Sequence, residues 1–209
     1  MGRQNNHWFR IWYDEFAKIP KPSSLVTIPR DDFLIDLQKE RQVRREYDLP
    51  DKEEIEVTPN TLHALYRVRG LLHPEEALII KSGYRDTDML TALWDRMICL
   101  LQEYYPKQEI SQLFELAAQY TASPFHPGYP PHSRGDAVDI IMKKDKKSLL
   151  FLEPKDGLEG FAFDFYAKND PEIHENRRRL REVMTSAGFK PYDKEYWHFG
   201  LTEAFISES

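Results

Sequence analysis

The chain has 209 residues, 41% of them hydrophobic, 13% aromatic and 31% charged, with a net charge of −6. That makeup suits one globular domain with a substantial core and gives no basic footprint for nucleic acid. The one cysteine, Cys99, excludes an intramolecular disulfide and a cysteine metal cluster, and a core position is expected for it.

No apolar run reaches the about 18 residues of a membrane span. The N-terminus lacks the apolar stretch and cleavage site of a secretory leader, so a cytoplasmic location is expected. Trp8, Phe9, Trp12 and Phe16 recur at helical spacing and predict a short N-terminal helix packed on the body. Residues 19–29 read as a connection. The stretch from Asp36 to Glu56, with Arg41, Arg44, Arg45, Asp51, Glu53 and Glu54, mixes both signs of charge and reads as solvated surface. Thr58 and Pro59 supply the N-cap and first position of a helix that turns Leu62, Leu65, Tyr66 and Leu72 inward.

Leu78 to Ile80 predicts a buried strand that runs into Ser82-Gly83-Tyr84-Arg85. A long helix follows, with Leu90, Leu93, Trp94, Met97, Leu101 and Tyr104 on one face, and stops before Pro106. Another helix spans Ile110 to Tyr120. Ser123 to Pro131 is too rich in proline for regular structure. Two apolar runs, 137–142 and 149–152, flank Lys143 to Lys147 and predict a hairpin. Asp170-Pro171 opens a helix through Ala187 that Gly188 closes; along it Arg177, Arg178, Arg179 and Arg181 read as a solvated face. Trp197 to Leu201 is the last predicted strand.

The chemistry concentrates late in the chain. The imidazoles of His132 and His198 and the carboxylate of Asp139 have the donor types of a catalytic zinc site. Such a trio leaves a position for water, and a spare carboxylate, Glu195, stands three residues before His198 to take that water's proton. Gly135 and Ala137 are small enough to let the backbone curl between His132 and Asp139. Asp139 interrupts the apolar run 137–141, where a carboxylate is costly unless paired or metal-bound. A solvent-facing position on an edge strand is the alternative for Asp139, a surface position for Glu195 and a core position for His198. Arg85 reads as a guanidinium aimed at developing negative charge, or as a surface partner of Asp86 or Asp88. Asp164, between Phe163 and Phe165, reads equally as the outward residue of an alternating strand. His126 is placed at the site's entrance.

Four patterns stand together: SGYR at 82–85, H-x-x-G-x-A-x-D at 132–139, FDF at 163–165, and ENRRRLREVMTSAGFKPYDKEYWHF at 175–199. Over roughly residues 78–201 they resemble the zinc D-Ala-D-Ala peptidases, most closely the D-alanyl-D-alanine dipeptidases of the VanX type. The resemblance implies one zinc per chain on His132, Asp139 and His198. It implies Glu195 as general base, Arg85 as the oxyanion-stabilising, substrate-contacting arginine, and Asp164 as the grip on the free amine. The chain departs from the pattern at Pro130, where a serine is expected, and this bears on one substrate hydrogen bond rather than on the metal.

The expected architecture is a single α+β domain of the D-Ala-D-Ala peptidase/Hedgehog-like kind. A small, mainly antiparallel sheet carries the site and helices surround it. Residues 1–75 are expected as an N-terminal helical segment packed on a core of residues 76–209, in one globular unit. The expected activity is hydrolysis of D-Ala-D-Ala or a closely related short D-peptide. A D,D-carboxypeptidase or peptidoglycan endopeptidase is the nearest alternative. A non-haem iron site is disfavoured because its first two ligands usually sit two residues apart rather than seven. A non-catalytic zinc-binding domain is disfavoured because it needs neither Glu195 nor Arg85. The partner is a small D-peptide, and the oligomeric state stays open.

Overall fold

The computed structural model describes residues 19–123, 129–145, 147–149, 151–152 and 157–203. The aromatic helix expected around Trp8 to Phe16, and His126, lie outside the described residues.

Chain order begins with two short strands, β1 (Val26–Thr27) and β2 (Leu34–Ile35), then helix α1 (Gln38–Glu46), strand β3 (Glu56–Val57) and helix α2 (Pro59–Leu71). Strand β4 (Glu76–Ser82) and helices α3 (Thr87–Tyr104) and α4 (Ile110–Ala117) follow. A single-turn helix, α5 (Pro131–Arg134), precedes β5 (Ala137–Lys144) and β6 (Lys147–Ser148). Helix α6 (Pro171–Ser186) and the hairpin β7 (Phe189–Tyr192) and β8 (Glu195–Leu201) close the chain.

The larger sheet among the described residues has the order β2-β4-β5-β8-β7, with β6 added to β5. Only β2 and β4 run parallel; the other pairs are antiparallel. The fold is α+β with a mainly antiparallel sheet. One apolar layer joins Leu78, Ile80, Val138, Ile140 and Phe199 of the sheet to Leu65 and Val68 of α2 and Leu180, Val183 and Met184 of α6. A second cluster packs Leu90, Trp94, Ile98 and Leu101 of α3 on Leu113 and Ala117 of α4.

Local rules account for the helix starts. The Thr58 side chain accepts the Thr61 amide and Pro59 takes the first turn, as the sequence predicts. Asp86 and Asp170 cap α3 and α6 in the same way. Residues 19–57 are woven into the body: β2 pairs with β4, and β3 lies against the SGYR segment, with the Tyr84 amide donating to the Glu56 carbonyl at 2.7 Å.

Several expectations are corrected. The charged stretch is not uniformly solvated, because Glu40 and Arg44 of α1 are buried and paired at 3.2 Å, and Arg44 also reaches Asp86 at 2.6 Å. Cys99 is exposed. Tyr66 faces outward and donates to Asp32, and Tyr104 is exposed. Arg177 is fully buried, whereas Arg178 is half-exposed and ion-paired with Glu175. The second hairpin strand falls at 147–148 rather than 149–152, and β7 escaped the sequence reading because Lys190 and Pro191 break its apolar pattern.

Candidate metal centre

The sheet places two of the three predicted donors side by side. Asp139 on β5 is the direct cross-strand partner of His198 on β8, and Ser82 on β4 flanks Asp139 on its other side. Cross-strand partners point to the same face, so their side chains meet. His132 comes from α5, just before β5. Gly135 turns the chain from helix to strand with φ 77°, a left-handed conformation that favours glycine. A Cβ at Gly135 would also stand 2.6 Å from a Leu25 methyl carbon. The Gly135 carbonyl accepts from the Thr58 amide and the Thr61 hydroxyl, which ties α5 to the start of α2.

The three donors form one cluster. His132 Nε2 lies 3.2 Å from Asp139 Oδ1 and 3.1 Å from His198 Nδ1, and His198 Nδ1 lies 3.1 Å from Asp139 Oδ1. Ligands bound tetrahedrally at about 2.0–2.1 Å stand roughly 3.3 Å apart, so the trio matches the donor spacing and donor chemistry of a zinc site with one position left open. His132 Nδ1 donates to the Gly83 carbonyl at 2.6 Å, which fixes the tautomer with the Nε2 lone pair facing the other donors. Burial, reinforced by Arg85, lowers the His132 pKa to about 4, so the ring is neutral at pH 7. Burial alone would raise Asp139, but Arg85 and the imidazoles outweigh it and hold the carboxyl well below the usual range.

Arg85 pairs with Asp139 through Nη2, and its Nε donates to the Ser82 hydroxyl at 3.0 Å. Neither surface partner weighed for it is used. Asp86 caps α3 and pairs with Arg44, so Arg85 is left for the cleft. Glu195 lines the same cleft. In a regular strand, residues three apart face opposite sides. Strand β8 is not regular there, because its pairing to β7 slips between Pro191↔Phe199 and Tyr192↔Glu195. The simple alternation therefore does not hold between Glu195 and Phe199, and Glu195 lines the cleft while His198 stays in register with Asp139. Burial, then the charge of Asp139, raises the Glu195 pKa to about 7.

The cleft is a cavity of about 280 Å³ whose lining includes Ser82, Arg85, Asp139, Glu195, Trp197 and Lys39. Lys39 was not among the residues singled out from sequence, and Ser82 entered only as the first residue of the SGYR pattern. Lys39 comes from α1, 93 residues before His132, and its mixed-charge setting gave no signal. Ser82 and Gly83 were read only as the lead-in to Arg85. Asp164 is exposed, on a turn that follows the 3₁₀ turn Glu159–Phe161. Like His132 and His198, it is not among the residues that line this cavity.

Two imidazoles and a carboxylate thus converge on one point beside a half-buried glutamate that lines an open cleft, the donor set of a candidate metal centre. The chain belongs to the Peptidase_M15 family, described as D-ala-D-ala dipeptidase, whose profile matches residues 49–209. It is 32% identical over 111 residues to a D-alanyl-D-alanine dipeptidase of Enterococcus faecium, covering 49% of this chain and 48% of that protein. It is 30% identical over 74 residues to that of Escherichia coli (strain K12), covering 35% of this chain and 38% of that protein. The matches thus span about half or less of the curated relatives' length. Among solved structures, VanYB in complex with D-Alanine-D-Alanine matches with a TM-score of 0.48 and 20% identity, over 73% of this chain and 76% of that one.

Proposed function

We propose that this chain is a zinc-dependent dipeptidase that hydrolyses D-alanyl-D-alanine or a closely related short D-peptide. The observation that carries the proposal is the convergence of His132, Asp139 and His198 on one point with Glu195 in the same cleft. The family profile and the curated dipeptidase relatives support it. His132, Asp139 and His198 hold the metal. When bound, zinc supplies Lewis acidity and a water of lowered pKa. Glu195 takes the proton of the attacking water and returns one to the leaving amine. Arg85 offers its guanidinium to the developing oxyanion. Asp164 takes the substrate's free amine. A cytoplasmic location belongs to the same proposal, because the substrate is a small free peptide.

One observation favours a second reading. Asp164 stands exposed on a turn, and a carboxypeptidase that accepts longer chains needs no carboxylate for a free amine. Hydrolysis of D-Ala-D-Ala and of N-acetyl-D-Ala-D-Ala, with zinc and with chelator, separates the two. The dipeptidase cleaves the free dipeptide well and the acetylated one poorly, and chelation abolishes both. Equal kcat/KM for the two substrates gives the reaction to the carboxypeptidase.

A further inference from the structure

Three cations line the cleft: Lys39, Lys81 and Arg85. Two are engaged, since Lys81 pairs with Asp36 at 2.6 Å and Arg85 pairs with Asp139. Lys39 takes part in no ion pair or hydrogen bond among the described residues. Its Nζ lies 5.8 Å from the centre of the Trp197 ring, on the strand that carries Glu195 and His198. Of the lining carboxylates, Glu40 is held by Arg44 and Asp139 belongs to the metal trio; Asp139 and Glu195 act on Lys39 through their charge, without an ion pair. Lys39 is exposed, and it lines the cavity together with Trp197, over whose ring its ammonium stands. With a dication on the trio, the cleft carries an excess of positive charge, which suits an anionic group on the ligand.

We propose that Lys39 anchors the free C-terminal carboxylate of the substrate. This rests on the reading of the cleft as a peptidase for short D-peptides, and it adds which end of the substrate is read. An ammonium on a flexible stem is a compact point charge suited to a terminal carboxylate, while the planar fork of Arg85 stays with the reacting oxygen. Lys39 lies outside the 49–209 family match, so this part of the recognition is contributed by the chain's own N-terminal region. An enzyme built this way removes or releases a C-terminal residue and does not cut within a polymer.

The test compares D-Ala-D-Ala with its C-terminal amide, D-Ala-D-alaninamide, on the zinc-loaded full chain. The wild type should favour the acid in kcat/KM by about 10- to 100-fold, the range of a hydrogen bond between charged partners. Lys39→Met should bring the acid down to the level of the amide, chiefly through KM, and Lys39→Arg should keep most of the preference. Calorimetric binding of the same two ligands to Glu195→Gln and to Glu195→Gln/Lys39→Met gives an equilibrium readout that does not need turnover. If Lys39→Met loses zinc, Lys39→Gln replaces it.

Equal rates or affinities for acid and amide in the wild-type cleft overturn the proposal, as does a preference that survives in Lys39→Met. A uniform loss on both substrates with a displaced acidic limb also overturns it, because Lys39 would then act on Glu195. The dipeptidase reading fails separately. If N-acetyl-D-Ala-D-Ala and its amide show the same Lys39-dependent gap at rates equal to the free dipeptide, Lys39 keeps its role and the enzyme is a carboxypeptidase.

Discussion

At the residue scale, the proposed division of labour separates metal retention from proton transfer. His132→Ala and His198→Ala each remove one of three donors, and zinc content of the purified variants should fall well below one per chain. Full stoichiometry in both would refute the ligand set. Glu195→Gln keeps shape and polarity but cannot accept a proton, so zinc should stay while turnover falls by at least about 10²-fold, the lower range for general acid–base groups. The pH dependence follows with a definite sign. Burial lifts the Glu195 pKa to about 7, and only the ionised form is a base. Activity should therefore decline on the acidic side, at pH 7 or lower because the metal's positive charge favours the carboxylate. A wild-type kcat/KM flat from pH 5 to pH 8, measured in constant zinc, would remove Glu195 from this role.

At the scale of elements, two positions hold the site from outside it. Gly83 has no room for a side chain: a Cβ would lie 2.5 Å from the Glu56 carbonyl oxygen and 2.7 Å from a methyl carbon of Ile55. Its carbonyl orients His132. Gly83→Ala must push β3 away or shift the SGYR backbone, so a stability loss of about 1–3 kcal/mol is expected from overpacking. The displaced carbonyl should weaken zinc binding by about 10- to 100-fold, the usual effect of losing an outer-shell partner. Thermal melts and zinc titration report the two effects separately, and a variant normal in both removes Gly83 from the scaffold of the site.

Arg177 acts on the other wall. Its guanidinium donates to the carbonyls of Phe151, Gly160 and Ala162 and lies 4.7 Å and 4.2 Å from the ring centres of Tyr166 and Tyr196. It thereby ties α6 to the segment carrying Phe161, a residue of the cleft lining. Arg177→Met should cost about 1–3 kcal/mol for each carbonyl left unpaired, read by denaturant unfolding. A loss below 1 kcal/mol would show that water replaces the clamp.

At the scale of the whole molecule, the cleft lies where the sheet meets α1, a helix from the N-terminal third of the chain. Residues 19–57 pair with β4, cover the SGYR segment and supply Lys39, so they complete the site. Deleting residues 1–48, which keeps the span matched by the family profile, should expose Ile80 and Val138, and the fragment should lose cooperative unfolding. A fragment that melts as sharply as the full chain and keeps its zinc affinity would make this region an appendage. Among the described residues, no helix is long and apolar enough to cross a membrane.

Much of this was legible in the sequence because it rests on short-range rules. Thr58-Pro59, Asp86 and Asp170-Pro171 mark helix starts through their own side chains, and the apolar run around Asp139 marks a central strand with an anomalous charge. The resemblance of the SGYR, H-x-x-G-x-A-x-D and E-Y-W-H patterns to a peptidase family named a donor trio that the fold brings together. Other features depended on partners distant in sequence. Arg177 and Arg178 are neighbours on one helix, yet one is buried against carbonyls of another segment and the other is solvated, a difference their sequence setting does not contain. The register slip in β8 between Glu195 and Phe199 is a property of the β7–β8 pairing. Lys39 enters the cleft because α1 packs beside β4, and Asp164 stays outside the lining because its segment turns instead of extending. Local side-chain chemistry thus determined the elements and the donor types; which donors face one another was decided by tertiary packing, where strand register and helix placement bring distant residues to one point.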